Sequence, residues 1–366
     1  MKTLILVYVH GFKGDRTTFR DFPSDVQERL QRVYPKTKIV SLIYPPYETK
    51  GELSAAVNSF ISFLENKTID EEILNGTASP LMSPTVGFIL VAHSMGGLVI
   101  ADAATQILAR DKSITFPKVL GLLCFDSPFL GLHTSVFAQD VVERGSAKFK
   151  ELKSLSAAVP IGTVASYLFA KNSQEPKKEA GTKDMQQKKA SPNWGKIAGI
   201  AAAGIVTTAA AAAGTVWYLK SQNMDLNWAK DHLIFVGAIF QKPAVLKERL
   251  WNLYQSKDRV QMINYYTVIQ PVQSETGSGS NSKFDTTEIV KGLGKIVGGD
   301  GDGIRTFCNV PKDVPYSGFF RPAANKKARG EIEAHISIFD SNKNTGYDSL
   351  VTENVEIVSG WMANWK

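Results

Sequence analysis

A serine at the centre of a glycine-containing turn is the first feature of the sequence that indicates chemistry. Ser94 lies in Ala92-His93-Ser94-Met95-Gly96-Gly97, between an apolar run typical of a strand and an apolar run of helical length. A sharp strand-to-helix turn lifts such a hydroxyl clear of a sheet, and small neighbouring residues prevent a clash. Ala92 stands where a glycine is usual, but alanine is also small. The segment predicts a nucleophilic serine; the alternative is the glycine-rich start of an ordinary helix.

A serine hydroxyl needs a general base to become a nucleophile at neutral pH, and imidazole is suited to that task. The chain contains five histidines. His335 alone follows the last predicted strand, where one large class of serine hydrolases, with the chain order nucleophile, acid, base, carries its histidine. We therefore predict His335 as the base. The alternatives are a loop histidine satisfied by backbone groups, and His133, which is near the predicted acid in sequence.

The acid of such a site is predicted at Asp126, directly after the apolar run Val119–Phe125. Ligands bind at the carboxyl ends of the strands in open α/β sheets, so a carboxylate in this position can reach the site. Asp126 can equally cap the turn that follows it. Glu275 and Asp285 come after a later strand and are the alternative acids, although their Gly/Ser-rich loop gives poor support to a preorganised site.

Two backbone amides are predicted to bind an oxyanion. The first strand leads into His10-Gly11-Phe12-Lys13-Gly14, a loop whose N–H groups can point at a ligand, and the helix after Ser94 directs its amino end to the same place. The predicted donors are the N–H groups of Phe12 and Met95. The alternative for the loop is a plain strand-to-helix turn.

These residues can form one site only if a sheet places them at the same edge. Apolar, β-rich runs predict strands at Thr3–Val9, Thr37–Tyr44, Val86–Val91, Val119–Phe125, Gln261–Ile269 and Arg305–Val310. The first of them is typical of a strand buried on both faces of a parallel sheet. Helical spacing occurs at Phe22–Tyr34, Gly51–Leu64, Met95–Ala109, Leu233–Phe240, Ala244–Tyr254 and Val351–Met362. Ser24 is the predicted N-cap of the first helix, and the stretch around His335 is predicted to be a long loop. The fold class is therefore α/β, with a mostly parallel central sheet flanked by helices.

Residues 171–222 differ in composition from the rest and are predicted to form an insertion in a single domain of residues 1–366. Lys171–Lys196 is rich in lysine and poor in apolar residues, which is typical of a flexible, solvated segment. Ile197–Leu219 carries no charge and is long enough to span a membrane. A single crossing would separate Ser94 from His335, so we interpret the segment as a cap helix or a membrane-surface or re-entrant anchor.

Composition limits the classes of function. The hydrophobic fraction of 43% is typical of a globular core, and much of the net charge of +7 comes from the lysine-rich segment, which does not favour nucleic-acid binding. Neither metal-ligand spacing nor a phosphate-binding loop occurs, so we expect no cofactor. Cys124 and Cys308 are expected to be buried free thiols. Met1–Val9 is too short for a signal peptide, so an intracellular, cytoplasmic location is expected, with membrane association through Ile197–Leu219.

Four segments occur in order along the chain: Val9–Gly14, Ala92–Gly97, Phe125–Gly131 and Ala334–Phe339. Together they resemble an uncharacterised fungal family of lipase-like α/β-hydrolase serine esterases. The resemblance extends from Leu4 to Met362 and is least constrained at residues 171–222. It implies an α/β-hydrolase fold reduced by two strands at the N-terminus. It also implies Ser94 as nucleophile, His335 as base and Asp126, where pancreatic-type lipases have theirs, as acid.

These observations favour a serine hydrolase that cleaves carboxylic esters, with lipid acyl esters as the expected substrates, through a Ser-His-Asp triad and an acyl-enzyme. A thioesterase or an acyltransferase would use the same residues. The alternative from a different class is a catalytically silent scaffold, tethered to a membrane by Ile197–Leu219 and used for binding.

Overall fold

The computed structural model describes residues 1–11, 14–47, 53–79, 81–110, 115–133, 136, 243–269 and 305–365. They fall within one structural unit, drawn from Met1–Ser146 and Ile234–Lys366; a second unit, Ala147–Leu233, lies outside the described residues. The predicted insertion, the helix at Leu233–Phe240, Phe12, and the alternative acids Glu275 and Asp285 also lie outside them.

The apolar runs of the sequence form a sheet of seven strands in the described part of the chain. The strands are β1 (Thr3–Val9), β2 (Lys38–Ile43), β3 (Val86–His93), β4 (Val119–Phe125), β5 (Gln261–Ile269), β6 (Arg305–Thr306) and β7 (Phe320–Ala324). Their order is β2-β1-β3-β4-β5-β7, all neighbours being parallel, and β6 pairs antiparallel with the end of β5. The parallel strands therefore end at one common edge.

Helices cover both faces of this sheet. They are α1 (Phe22–Val33), α2 (Leu53–Leu74), α3 (Gly96–Arg110), α4 (Pro243–Gln255), α5 (Glu331–Ile336) and α6 (Tyr347–Ala363). Successive residues of a strand point to opposite faces. Val7 accordingly packs in a core with α2, α3 and α4, whereas Leu6 packs in a core with α1 and α6. The two cores explain the unbroken burial of β1, β3 and β4, and the predicted fold class is confirmed.

Two predictions about helices are wrong in detail. Ser24 is not an N-cap: α1 begins at Phe22, no side chain caps it, and the Ser24 hydroxyl donates to the Asp21 carbonyl at 2.7 Å. The second helix extends ten residues beyond its predicted end, to Leu74. Its last turns are held by Glu72, whose buried carboxylate accepts hydrogen bonds from the N–H groups of Thr85 and Val86.

The prediction of a last strand at Arg305–Val310 is also wrong. Only Arg305 and Thr306 form β6, Cys308 makes an isolated bridge with Leu132, and β7 follows later in the chain. Pro322 conceals β7 in the sequence, because proline lacks a donor and fits only where a strand edge is unpaired. The predicted loop around His335 contains α5. Both cysteines are free and buried, as expected.

No helix in the described part of the chain has the length and apolar character needed to cross a membrane. Ile197–Leu219, the predicted cap or anchor, lies outside that part.

Candidate active site

Ser94 occupies the turn between β3 and α3. Its φ of 55° lies in the left-handed region, which costs a residue with a side chain about 1 kcal/mol or more. The surrounding structure offsets that cost, because the Ser94 N–H donates to the Phe125 carbonyl at 2.9 Å and so ties the turn to β4. The serine is half-buried. This geometry is the strained strand-to-helix turn on which the nucleophiles of many serine hydrolases lie.

Two glycines allow the chain to pack closely around this turn. A Cβ on Gly96 would lie 2.4 Å from the Val9 carbonyl oxygen, and a Cβ on Gly11 would lie 2.7 Å from the Ser94 Cβ. Both distances are too short for any other residue. Gly11, the second residue after β1, therefore lies directly against Ser94. The Met95 N–H donates no backbone hydrogen bond within the described residues, and Phe12, the other predicted donor, lies outside them.

Asp126 follows β4 and is completely buried. One carboxylate oxygen accepts the Thr267 N–H at 2.7 Å, and the other accepts the Thr267 hydroxyl at 2.6 Å. The second oxygen also lies 3.3 Å from Nδ1 of His335. The carboxylate therefore does not cap the turn that follows it. Its contacts bring together β4, β5 and α5, three elements that are distant in sequence.

The loop after Asp126 is held by Asn264 of β5. The Asn264 side chain accepts the Ser127 N–H and donates to the Ser127 carbonyl, both at 3.1 Å. Asp126 itself has a φ of 48° and donates its N–H to the Tyr265 carbonyl at 2.6 Å. Asp126 is thus fixed on both sides by the neighbouring strand.

His335 lies near the end of α5 with 7% of its surface exposed. Its Nδ1 faces the Asp126 carboxylate, which only accepts hydrogen bonds when ionised, so we assign the ring hydrogen to Nδ1. Nε2 is then the nitrogen available to take a proton. The rings of Phe307 and His93 stack on His335, with centroid distances of 3.6 Å and 4.3 Å. His93 directly precedes Ser94, so the stack brings the predicted base to the Ser94 turn.

An ion pair holds α5 to the sheet. Arg305 of β6 donates to both carboxylate oxygens of Glu331, at 2.9 Å and 2.8 Å, and Glu331 is 1% exposed. At the other end of the helix, the Asn325 side chain donates to the Ser337 hydroxyl at 3.0 Å. These contacts orient the helix that carries His335.

The structure brings His335 and Asp126 together at the edge where Ser94 lies. Within the described residues, no hydrogen bond joins the Ser94 hydroxyl to the His335 ring, a contact that often forms only with substrate. The His133 N–H donates to the Phe307 carbonyl at 3.0 Å, in the strand-like segment beside the site. No cluster of metal-ligating side chains occurs among the described residues.

Sequence analysis missed Thr267, Phe307 and the pair of Arg305 with Glu331. Thr267 had a detectable signal, because it is a polar residue on the same face of β5 as the buried Tyr265, near the strand's carboxyl end. Phe307 had none, since its contact with His335 depends on how two distant segments pack.

Comparison with known families shows which family the chain belongs to. The model of the family described as "Putative serine esterase (DUF676)" matches residues 1–196, more than half of the chain. The chain belongs to this family. Its mostly parallel sheet with helices on both faces is the α/β-hydrolase fold that the sequence resemblance implied. Ser94 and Asp126 lie within the matched residues, and His335 lies beyond them. The fungal origin in that resemblance stays a prediction.

No curated protein matches the chain. Among solved structures, it is similar to the phospholipase PlaB from Legionella pneumophila, at 16% identity and a TM-score of 0.28 over 38% of this chain and 28% of the phospholipase. The chain thus spans less than a third of that protein. It is also similar to a carboxylesterase of the thaumarchaeon Nitrososphaera gargenis (10% identity, TM-score 0.31, 96% of this chain and 92% of that one). A hydrolase from Oleispira antarctica gives 14% identity and a TM-score of 0.28 over 97% of this chain and 91% of its own.

Proposed function

We propose that the protein hydrolyses carboxylic esters, with Ser94 as nucleophile, His335 as general base and Asp126 as the acid that orients the base. The observation that carries this proposal is the contact between Asp126 and His335, two residues separated by 209 positions, beside the strained turn of Ser94. Membership of a serine esterase family supports the same reaction.

The proposed reaction has two halves. The Ser94 hydroxyl attacks the ester carbonyl while His335 Nε2 takes its proton, and the imidazolium then gives that proton to the leaving alcohol, which leaves an acyl-enzyme. In the second half, His335 takes a proton from water, the resulting hydroxide attacks the acyl-enzyme, and the carboxylic acid is released as Ser94 recovers its proton. Asp126 keeps the His335 ring hydrogen on Nδ1 and stabilises the imidazolium in both halves.

The oxyanion of each tetrahedral intermediate is proposed to be bound by the N–H groups of Met95 and Phe12. Support for Met95 comes from its position directly after Ser94 and from its amide, which has no backbone acceptor in the described part of the chain. Such donors stabilise charge that develops only in the transition state, which accelerates the reaction rather than tightening substrate binding.

Lipid acyl esters are the proposed substrates. The support is the uncharged segment Ile197–Leu219, whose composition is that of a cap over an apolar site or of an element lying on a membrane surface. The same segment is the basis for proposing that the protein associates with membranes.

The first test is labelling by a fluorophosphonate probe, which reacts only with an activated serine. We expect labelling of the wild type and of Ser83→Ala, a change in an exposed loop, and none of Ser94→Ala or His335→Ala. Hydrolysis of p-nitrophenyl esters by the same four proteins would follow the labelling, and a preference for long acyl chains would support the lipid substrate.

A wild-type protein inert to the probe and to every ester would contradict the proposal and favour the non-catalytic scaffold. Equal labelling of Ser94→Ala would show that the reactive serine lies elsewhere. Circular dichroism of each variant shows whether lost activity reflects lost folding.

A further inference from the structure

The imidazole of His335 lies between two other rings. Phe307 stacks on it at 3.6 Å with planes 10° apart, and His93 stacks on it at 4.3 Å with planes 27° apart. Two rings so close and so nearly parallel would overlap if they shared one face of the imidazole. They therefore lie on opposite faces, and the His335 ring is confined to a slot.

His93 also binds the main chain of His335. Its Nε2 lies 3.1 Å from the His335 carbonyl oxygen. A carbonyl oxygen only accepts hydrogen bonds, so Nε2 of His93 carries the hydrogen and donates it. One side chain thus makes two contacts with the base, one with its ring and one with its backbone at the end of α5.

The charge of His93 is compatible with this arrangement. Burial lowers the pKa of His93 well below 6.5, and the facing His335 and the nearby His10 lower it further, against the opposing effect of the hydrogen bond to the His335 carbonyl. His93 is therefore neutral at pH 7, with its single ring hydrogen on Nε2. A neutral ring does not repel the imidazolium that forms on His335 when Ser94 loses its proton.

The place of His93 in the fold explains how one segment can serve both groups. His93 is the last residue of β3, and its ring lies 5.6 Å from Phe339 in the core beneath α1 and α6. Ser94 follows in the turn. Consecutive residues therefore present the nucleophile and a support for the base that must act on it.

We propose that His93 is a positioning residue for the reaction, which holds the His335 imidazole in line with Ser94 through the hydrogen bond to the His335 carbonyl. This inference rests on the proposed function, because it assigns His93 a role in that same site. His93 does not exchange a proton with the substrate. Its ring closes one face of the slot, and its N–H fixes the end of α5.

Two variants separate the hydrogen bond from the ring. His93→Gln keeps an N–H donor near the position of Nε2 but removes the ring, whereas His93→Phe keeps a ring and removes the donor. We expect His93→Phe to lower kcat about tenfold with little change in KM, and His93→Gln to stay within about threefold of the wild type. A merely structural role would not produce rescue by glutamine with an unchanged KM.

Either of two results would overturn the proposal: wild-type kcat in His93→Phe, or a loss in His93→Gln as large as in His93→Phe. Thermal unfolding of both variants identifies a protein that has failed to fold.

A measurement on the wild type tests the geometry without any variant. In long-range ¹H–¹⁵N spectra of protein with ¹⁵N-labelled histidine, His93 should appear as the neutral Nε2–H tautomer at every pH from 7 to 9. The Nδ1–H tautomer would overturn the proposal. A wild type that shows the expected tautomer but resists the fluorophosphonate probe would indicate instead that the proposed function has failed.

Discussion

Thr267 positions Asp126, the candidate acid, without taking part in the proposed reaction itself. Its N–H and its hydroxyl bind different oxygens of the Asp126 carboxylate, so a single residue of β5 fixes both the position and the rotation of the acid. Hydrogen bonds to a charged group are stronger than those between neutral groups. Because Asp126 in turn faces Nδ1 of His335, these two hydrogen bonds also determine the orientation of the His335 ring.

Removing the Thr267 hydroxyl should therefore slow the reaction. Thr267→Val keeps the shape and the backbone donor but deletes the 2.6 Å hydrogen bond, and we expect kcat to fall about 10- to 100-fold. Thr267→Ser, the matched control, keeps the hydroxyl and should retain most of the activity. Steady-state kinetics on a p-nitrophenyl ester measures both. Equal activity of the valine and serine variants would show that the backbone N–H alone positions Asp126.

Protonation of His93 links the site to the stability of the fold. Its pKa is lower in the folded protein than in the unfolded chain, so below pH 6.5 the unfolded chain binds more protons and the free energy of unfolding falls as pH falls. Above 6.5 both states are neutral, and the contribution is fully present. We expect the midpoint of thermal unfolding to drop between pH 7 and pH 5 by more in the wild type than in His93→Gln. An identical drop in the unfolding midpoint of the two proteins would mean that groups other than His93 cause the loss of stability at low pH.

At the level of elements, the position of α5 depends on its surroundings. A helix of six residues is unstable in isolation, because nucleation costs more than so few hydrogen bonds return. The buried pair of Arg305 with Glu331 joins it to β6, and Asn325 holds its other end through Ser337. His335 therefore reaches Asp126 through tertiary contacts and not through local propensity.

Breaking that ion pair should affect stability and activity together. Glu331→Gln leaves a guanidinium with a neutral partner, and we expect a loss of about 3 kcal/mol in the free energy of unfolding with a lower kcat. Glu353→Gln is the control, because its pair with Arg321 is about 40% exposed on each side, and should cost below about 1 kcal/mol. Urea unfolding of both variants provides the comparison. Similar losses would indicate that burial of Glu331 does not strengthen the pair.

Elements differ in how far the sequence could predict them, for physical reasons. Strands β1 and β4 match their predicted bounds, because both faces are covered and nearly the whole run must be apolar. Strand β7 was missed, since Pro322 argues against a strand wherever its neighbours are unknown. Helix α5 was missed, because six residues are too few for a helical period to show.

The residues of the candidate site also differ in how far the sequence could predict them. Ser94 could be predicted from its own neighbours, since a strained turn needs small residues at fixed positions. His335 and Asp126 could be predicted only from their order along the chain. The hydrogen bond from His93 could not be predicted, because it joins residues 242 positions apart in the chain. The stacking of Phe307 on His335 could not be predicted either, because it depends on how the segment after β6 packs against α5.

At the scale of the whole molecule, the site depends on helices that do not contribute to it. Three strand ends deliver Ser94, Asp126 and Thr267, and these ends stay in register only while the sheet is covered on both faces. Helix α6, the last described helix, packs against β4. Its Trp361 packs directly on Gly121, in the strand that leads to Asp126.

A small side chain at Gly121 should therefore lower the free energy of unfolding. A Cβ there would lie 2.1 Å from the Trp361 ring, so Gly121→Ala must displace α6 from the sheet, at a cost of about 1–3 kcal/mol in the free energy of unfolding. Gly360→Ala, in α6 itself, meets nothing within 4 Å and should stabilise by about 0.5–1 kcal/mol through helix propensity. Urea unfolding of the two alanine variants should thus give shifts of opposite sign. A neutral Gly121→Ala would mean that Trp361 moves aside freely and that α6 does not hold the strand that carries the acid.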